Sequence, residues 1–254
     1  MTIIIALALA QVIGPVLPTR PATQTEQRYD QCVDLATSDP KAAEVDATRW
    51  RVDGGGYFAR QCLGIAYANQ RRWAGAAEEF AAAASEAEVA QDSRAAHYWA
   101  QAGNARLALG DAAGARNALD AALAAGTLVG LQRGEASFDR ARALVLLGDL
   151  AGARADLDRA QQLAAADPLI WLASATLARR MGELGRARAD IARAYELARD
   201  DASVLLEIGN IAARSGDADG AQNAWKEAVR LAPESEAATQ ARAALKQFDP
   251  PPGN

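Results

Sequence analysis

The sequence predicts an all-α protein, and more specifically an α-solenoid in which helix–turn–helix units stack one after another. About a quarter of the 254 residues are alanine, whereas aromatic residues make up only 6%. Alanine has the highest helix propensity and a small side chain, so this composition favours many close helix–helix contacts over one thick core. Runs of β-branched residues with a period of two are nearly absent, and one pattern of small and large residues recurs along the chain.

The recurring pattern is a small residue in mid-helix, then a Gly-Asp-like turn seven residues later, then an alanine and a large apolar residue. Its clearest copy occupies residues 202–235, with Gly216 at the turn and Trp225 in the second helix. The mid-helix residues of the five copies are Gly64, Gly103, Ala141, Ala175 and Gly209, with successive spacings of 39, 38, 34 and 34 residues. A period of this kind predicts units that bury a core by stacking.

These residues resemble the tetratricopeptide repeat, whose 34-residue unit has W-x2-L-G-x2-Y in its first helix and A-x3-F, A and P in its second. Residues 63–67 follow the Leu-Gly-x2-Tyr part, and residues 221–225 follow Ala-x3-aromatic. The match covers residues 57–235, although two linkers are longer and most helix-ending prolines are missing. The resemblance implies a right-handed superhelix of five repeats.

Further segments flank the repeats. Residues 26–56 are predicted to form a degenerate N-terminal helix pair, with glycines 54–56 as a flexible joint at its end. Residues 236–248 are amphipathic and predict a capping helix, which a terminal repeat needs for solubility. Residues 249–254 predict a disordered tail.

Helix starts are also predicted from the sequence. Asp167 before Pro168 is a favourable N-cap, because proline is tolerated at the first helical position. Asp92 or Ser93 is expected to cap the helix that begins near Arg94 in the same way.

The first residues predict an export signal. Residues 3–10 are continuously apolar, but this run is too short to span a membrane, which takes about 20 residues. Ala8-Leu9-Ala10 fits a small-x-small cleavage site, so residues 1–10 read as a signal peptide followed by a linker over 11–25. Cleavage is expected after Ala10 and no later than residue 20. No Lys or Arg precedes the apolar run. A periplasmic or secreted location is the expectation, and a cytoplasmic one is the alternative.

The two cysteines, Cys32 and Cys62, lie on neighbouring predicted helices. In an exported chain an even cysteine count is compatible with one disulfide. Two buried thiols acting as small hydrophobic groups are the alternative. A disulfide would close a loop of about 30 residues and stabilise the N-terminal end by roughly 3–4 kcal/mol.

No catalytic constellation is found in the sequence. His97 is the only histidine, and no Ser or Cys nucleophile can be placed with it in a motif. No zinc-type cysteine and histidine spacing, phosphate-binding loop or dinucleotide fingerprint occurs. The sequence therefore predicts a protein that is not an enzyme and needs no metal or cofactor.

Charge disfavours nucleic acid as a partner. The net charge is −5 and the sequence pI is about 5.1, whereas nucleic-acid binders carry a basic patch or a high pI. Arginine is dense between Arg140 and Arg199, mostly alternating with alanine on predicted second helices, where we expect it to face solvent. The alternative is an anion- or nucleic-acid-binding face with strongly salt-dependent affinity.

The resemblance implies a concave groove lined by the first helix of each repeat, where a protein or extended peptide binds. The family's contact positions, carried onto this chain, fall at Gln101, Asn104, Phe138, Arg142, Leu172, Thr176, Arg179 and Asn210. Arginines there suit carboxylates, and Phe138 and Leu172 suit apolar side chains. An ordinary solvated helix face is the alternative.

The sequence thus predicts a non-catalytic binding scaffold, exported and acting in envelope protein assembly. A cytoplasmic adaptor with the same fold is the alternative, and an accessory region of an enzyme is a further one. No stable membrane span is expected, and the oligomeric state is left open.

Overall fold

The chain folds into thirteen α-helices joined by short turns between residues 23 and 248, which are the residues that the computed structural model describes. No strand occurs in this range. The helices are α1 (Gln24–Ser38), α2 (Pro40–Val52), α3 (Gly56–Asn69), α4 (Trp73–Val89), α5 (Ala95–Leu109), α6 (Ala112–Ala124), α7 (Gly130–Leu147), α8 (Leu150–Leu163), α9 (Pro168–Met181), α10 (Leu184–Leu197), α11 (Ala202–Arg214), α12 (Ala218–Leu231) and α13 (Glu236–Phe248). Each helix packs against the next, so the predicted α-solenoid is confirmed.

The core is divided among successive clusters of buried side chains rather than gathered in one place. One cluster surrounds Trp50 and Leu63 near the N-terminal end. Another surrounds Trp225 and includes Ala237 and Ala241 of α13. The last described helix, α13, therefore packs against the apolar surface of the preceding helix pair.

The predicted segments at the two ends fall partly outside the described residues. The signal peptide over 1–10 and the tail over 249–254 lie outside them entirely. The predicted helix pair over 26–56 corresponds to α1 and α2, but α1 begins at Gln24, so the last residues of the predicted linker over 11–25 are helical. Thr23 caps α1 by accepting a hydrogen bond from the backbone of Glu26 at 3.2 Å.

Four of the turns between paired helices contain a glycine in the left-handed conformation. Gly148 has a φ of 82°, a left-handed conformation that only glycine adopts without strain. Asp149 follows it and accepts a hydrogen bond from the N–H of Gly152 at 2.9 Å. The same left-handed glycine occurs in three more turns, at Gly110, Gly182 and Gly216. These turns end one helix and begin the next within a few residues.

The small mid-helix residues allow the two helices of a unit to cross closely, as predicted. A Cβ atom placed on Gly209 would lie 2.4 Å from the indole ring of Trp225. One placed on Gly103 would lie 2.5 Å from the side chain of Leu119. Large residues of the second helix therefore fill the space that a side chain on the first helix would need.

One of the two predicted caps is confirmed and the other is wrong. Asp167 caps α9 by accepting a hydrogen bond from the N–H of Leu169 at 2.8 Å. Arg94 is the N-cap of α5 and makes no side-chain cap bond. Asp92 instead accepts from the backbone and the guanidinium of Arg94, at 2.9, 2.8 and 2.6 Å. The arginine side chain thus competes for the carboxylate that was expected to cap the helix.

The glycine segment before α3 is a packed turn, which corrects the expected flexible joint. The N–H of Gly55 donates to the carbonyl oxygen of Trp50 at 2.9 Å. A Cβ atom on Gly55 would lie 2.6 Å from the indole ring of Trp50. Glycine is needed here because the backbone passes directly over a large ring, so the segment is held against α2.

A disulfide joins Cys32 of α1 to Cys62 of α3, which is the pairing that the sequence left open. The two Cα atoms are 6.1 Å apart. Both residues are buried among the apolar side chains of the N-terminal cluster. The bond therefore ties the first helix of the stack to the first helix of the following pair.

Some arginines between residues 140 and 199 lie between helices, and the expectation that those on second helices face solvent is wrong for Arg154 of α8. Arg140 binds Asp156 of the paired helix through two contacts of 2.7 and 2.8 Å. The side chain of Arg154 is only 12% exposed and donates to the hydroxyl of Ser174 at 2.7 Å. These groups join neighbouring helices, which leaves them unsuited to a continuous anion-binding face.

Candidate functional site

An apolar groove lies between α7 and α9, which are the first helices of two successive repeats. Its volume is about 600 Å³. We call it the α7–α9 groove. Its walls are Leu107, Phe138, Ala141, Val145, Leu146, Leu157, Leu169, Leu172, Ala173 and Leu177, and its polar side chains are Arg142, Thr176 and Arg180. A concave, mainly apolar site with a few polar groups is typical of a ligand-binding surface.

The groove exists because α7 and α9 are set apart. α5 contacts α7, and α9 contacts α11, more extensively than α7 contacts α9. Phe138 and Leu172 face this gap, and both side chains are only half-buried. The gap therefore leaves apolar surface of both helices accessible to a ligand.

The rim of the groove exposes more apolar surface than a solvated helix face needs. Leu146 is 65% exposed and Leu169 is 51% exposed. Single exposed leucines are common, whereas these two line one concave site together. The water that covers these side chains would be released when a ligand binds.

The cationic groups of the groove differ in how they are held. Arg142 donates to Asp139 at 2.9 Å and lies with its guanidinium 5.8 Å from the centre of the Phe138 ring. Burial raises the pKa of Asp139, and the adjacent Arg142 opposes this shift. Arg180 is exposed and forms no ion pair with any other part of residues 23–248. The groove thus presents one partly engaged and one available guanidinium.

Comparison with solved structures decides the fold. PilW, described as a widely conserved type IV pilus biogenesis factor, is 21% identical and has a TM-score of 0.70, over 88% of this chain and 100% of that chain. The PilF structure from Pseudomonas aeruginosa is 19% identical and has a TM-score of 0.69, over 87% and 100%. The chain has the tetratricopeptide repeat (TPR) fold.

A third similar structure is that of another TPR protein. YrrB, described as a TPR protein with an unusual peptide-binding site, is 19% identical and has a TM-score of 0.58, over 77% of this chain and 96% of that chain. No protein-family profile and no curated protein matches this sequence. The likeness to these TPR structures is therefore one of fold.

Half of the contact residues that the TPR resemblance implied lie together in the α7–α9 groove. They are Phe138 and Arg142 of α7 and Leu172 and Thr176 of α9. Sequence reasoning missed Arg180, Leu146 and several other lining residues. The sequence does contain a signal for these two residues. Leu146 follows Arg142 by four residues, and Arg180 follows Thr176 by four, so each pair lies on one helix face.

The other implied contact residues lie elsewhere in the TPR stack. Gln101 accepts a hydrogen bond from Gln61 at 2.9 Å, which joins α5 to α3. Asn104 is exposed but lies outside the α7–α9 groove. The structure thus separates these two positions from the apolar surface.

Arg179 and Asn210 belong to an internal polar network. Arg179 makes two contacts with buried Glu207, of 2.6 and 3.1 Å. Asn210 donates to Glu207 at 3.2 Å and accepts from the indole N–H of Trp225 at 3.2 Å. Because both groups have partners inside the chain, we leave Arg179 and Asn210 out of the proposed site.

His97 lines a smaller recess, of about 310 Å³, where α3, α5 and α7 meet. Gln61, Arg94 and Gln132 also line it, and Arg94 is engaged by Asp92. Within residues 23–248 no three His, Cys, Asp or Glu side chains are grouped as metal ligands would be. None of the helices in that range is long and apolar enough to cross a membrane.

Proposed function

We propose that this chain is a non-catalytic scaffold that binds a segment of a protein partner in the α7–α9 groove. The observation that carries the proposal is the set of exposed apolar side chains on two facing first helices, Leu146 and Leu169 among them. A helix or an extended peptide can place apolar side chains between α7 and α9, where both walls offer apolar surface. The lining side chains include no reactive pair, so the groove suits binding rather than chemistry.

The groove is tested by a pair of matched double variants. Leu146→Asp with Leu169→Asp places charges in the groove, and we expect at least about tenfold weaker partner binding, or a loss of about 1.4 kcal/mol or more. Leu131→Asp with Leu147→Asp is the control. Leu131 matches Leu169, because each is the second residue of its helix. Leu147 matches Leu146, because the two are adjacent in α7. Leu131 is 58% exposed and Leu147 is 43% exposed.

The measurement is crosslinked capture from the envelope fraction of the native host, followed by titration of the captured protein against each purified variant. The control is expected to bind as the unmodified chain does. Equal affinity of the groove variant and the control, at equal helicity by circular dichroism, would show that the binding surface lies elsewhere on the stack.

We propose further that the chain is exported and acts in the assembly of envelope proteins. The Cys32–Cys62 disulfide supports export, because structural disulfides persist mainly in oxidising compartments. The apolar run over residues 3–10 supports it too, although it lies outside the described residues. The description of PilW as a pilus biogenesis factor belongs to that protein and suggests the kind of process to test first.

Export is tested by the intact mass of unreduced protein from the native host. We expect residues 1–10, and at most residues 1–20, to be missing, and neither cysteine to take up an alkylating reagent. A chain that keeps Met1 and is alkylated at both thiols would instead be a cytoplasmic adaptor with the same groove.

A further inference from the structure

We propose that the segment bound in the α7–α9 groove carries a carboxylate next to its apolar side chains, and that Arg142 and Arg180 bind this carboxylate. The inference rests on the proposed function, since it specifies the chemistry of the same ligand. The evidence for it is the set of contacts that these two side chains make, which differs from the contacts of the arginines around them.

Arg180 is available to bind a ligand, whereas its neighbour Arg179 is not. Arg179 turns to buried Glu207 and is held there by two contacts. Arg180 lines the groove, is exposed, and pairs with no carboxylate of residues 23–248. An arginine left without a partner beside apolar surface is a ready binding group for a carboxylate, which its guanidinium can contact through two parallel N–H donors.

Arg142 keeps binding capacity in spite of its ion pair. Only one terminal nitrogen, Nη1, contacts Asp139, and the arginine side chain remains 49% exposed. A guanidinium has five N–H donors, so the other donors are available to a ligand. The contact with Asp139 and the nearby Phe138 ring restrict the side chain, which lowers the entropy cost of binding.

The charge around the groove favours an acidic ligand and disfavours a basic one. No Asp or Glu is among the lining residues. Asp139 of α7 is paired with Arg142, and Glu207 of the neighbouring helix α11 is paired with Arg179. The chain as a whole has a net charge of −5. A positive spot on an otherwise negative protein selects its partner by charge complementarity.

The apolar walls point to a peptide as the source of the carboxylate. Guanidinium groups also bind phosphate, but a nucleic-acid backbone would leave Leu146 and Leu169 against charged oxygens. A peptide offers apolar side chains and a carboxylate within a few residues of each other. The carboxylate is either an Asp or Glu side chain or the C-terminal group, and the two sources are distinguishable by experiment.

The test uses two phage-displayed libraries of random peptides, one fused through its C-terminus and one with a free C-terminus. Purified full chain is expected to enrich peptides with apolar residues beside Asp or Glu in the first library. Enrichment confined to the second library would assign the terminal carboxylate instead, and would support the same two arginines. Enriched peptides are then synthesised and titrated against variants.

The variants separate charge recognition from apolar binding. One variant combines Arg180→Gln with Arg142→Gln and Asp139→Asn, so that no buried carboxylate loses its partner. We expect this triple variant to bind the acidic peptide at least about tenfold more weakly. The same variant should bind the Asn or Gln version of that peptide as the unmodified chain does. Arg188→Gln, an exposed change outside the groove, is the control for net charge.

Each outcome is decisive. Enrichment of apolar peptides without acidic bias, abolished by Leu146→Asp with Leu169→Asp, would overturn the carboxylate inference and leave the proposed function standing. Enrichment of basic peptides would overturn the inference as well. If neither library shows enrichment that is lost with Leu146→Asp and Leu169→Asp, both the carboxylate inference and the proposed function are overturned.

Discussion

Replacement of Arg179 by methionine is expected to lower the free energy of unfolding of the C-terminal units by about 3–5 kcal/mol. Glu207 is only 5% exposed and receives two contacts from this guanidinium. Without the arginine, a buried carboxylate keeps only the amide of Asn210, at 3.2 Å. An uncompensated buried charge costs far more than the loss of a surface ion pair.

The neighbouring residue provides the control for this prediction. Arg180→Met removes the same charge from an exposed position without an ion pair, and a change within about 0.5 kcal/mol is expected. Hydrogen exchange of α9 and α11 is the suitable measurement, because repeat arrays can unfold in parts. Equal protection in the two variants would mean that Glu207 does not need Arg179. The comparison also tests whether Arg179 is structural, since the sequence had placed it among the ligand contacts.

Removal of the disulfide by Cys32→Ala with Cys62→Ala is expected to destabilise the N-terminal units by about 3–4 kcal/mol. The bond closes a loop with a sequence separation of 30. It also fastens α1, which has a neighbouring unit on one side only among the described residues. Fraying at this end would otherwise expose the cluster around Trp50 and Leu63.

Chemical denaturation with and without a reducing agent measures this effect. The unmodified chain is expected to lose stability when it is reduced, whereas the variant should be insensitive to the reducing agent. An unmodified chain whose unfolding midpoint is unchanged by full reduction would contradict the prediction.

The fold could be predicted because the features that specify it are local. Gly209 and Trp225 keep a fixed distance in sequence, and their contact follows from the helix–turn–helix unit itself. Asp167 caps α9 through a neighbouring residue, so a short stretch of sequence contains the whole interaction. Asp92 shows the limit of this reasoning, since the Arg94 side chain takes the carboxylate.

The site could be predicted only in part because repeat positions look alike in sequence. Thr176 and Asn210 occupy equivalent positions, yet Thr176 lines the groove and Asn210 binds Glu207 and Trp225. The partners that decide the difference come from other parts of the chain. The groove itself depends on the separation of α7 from α9, which no local pattern encodes.

The exposed residues of the proposed binding surface differ from the residues that form the turns of the fold. Neither Gly148, which forms the turn, nor Asp149, which forms the cap, is among the residues that line the groove. Leu146, Leu169 and Arg180 stand in solvent, so substitutions there need no repacking of the helices. If the proposed groove binds partners, the set of accepted partners can therefore be changed, by evolution or by design, while the fold stays the same.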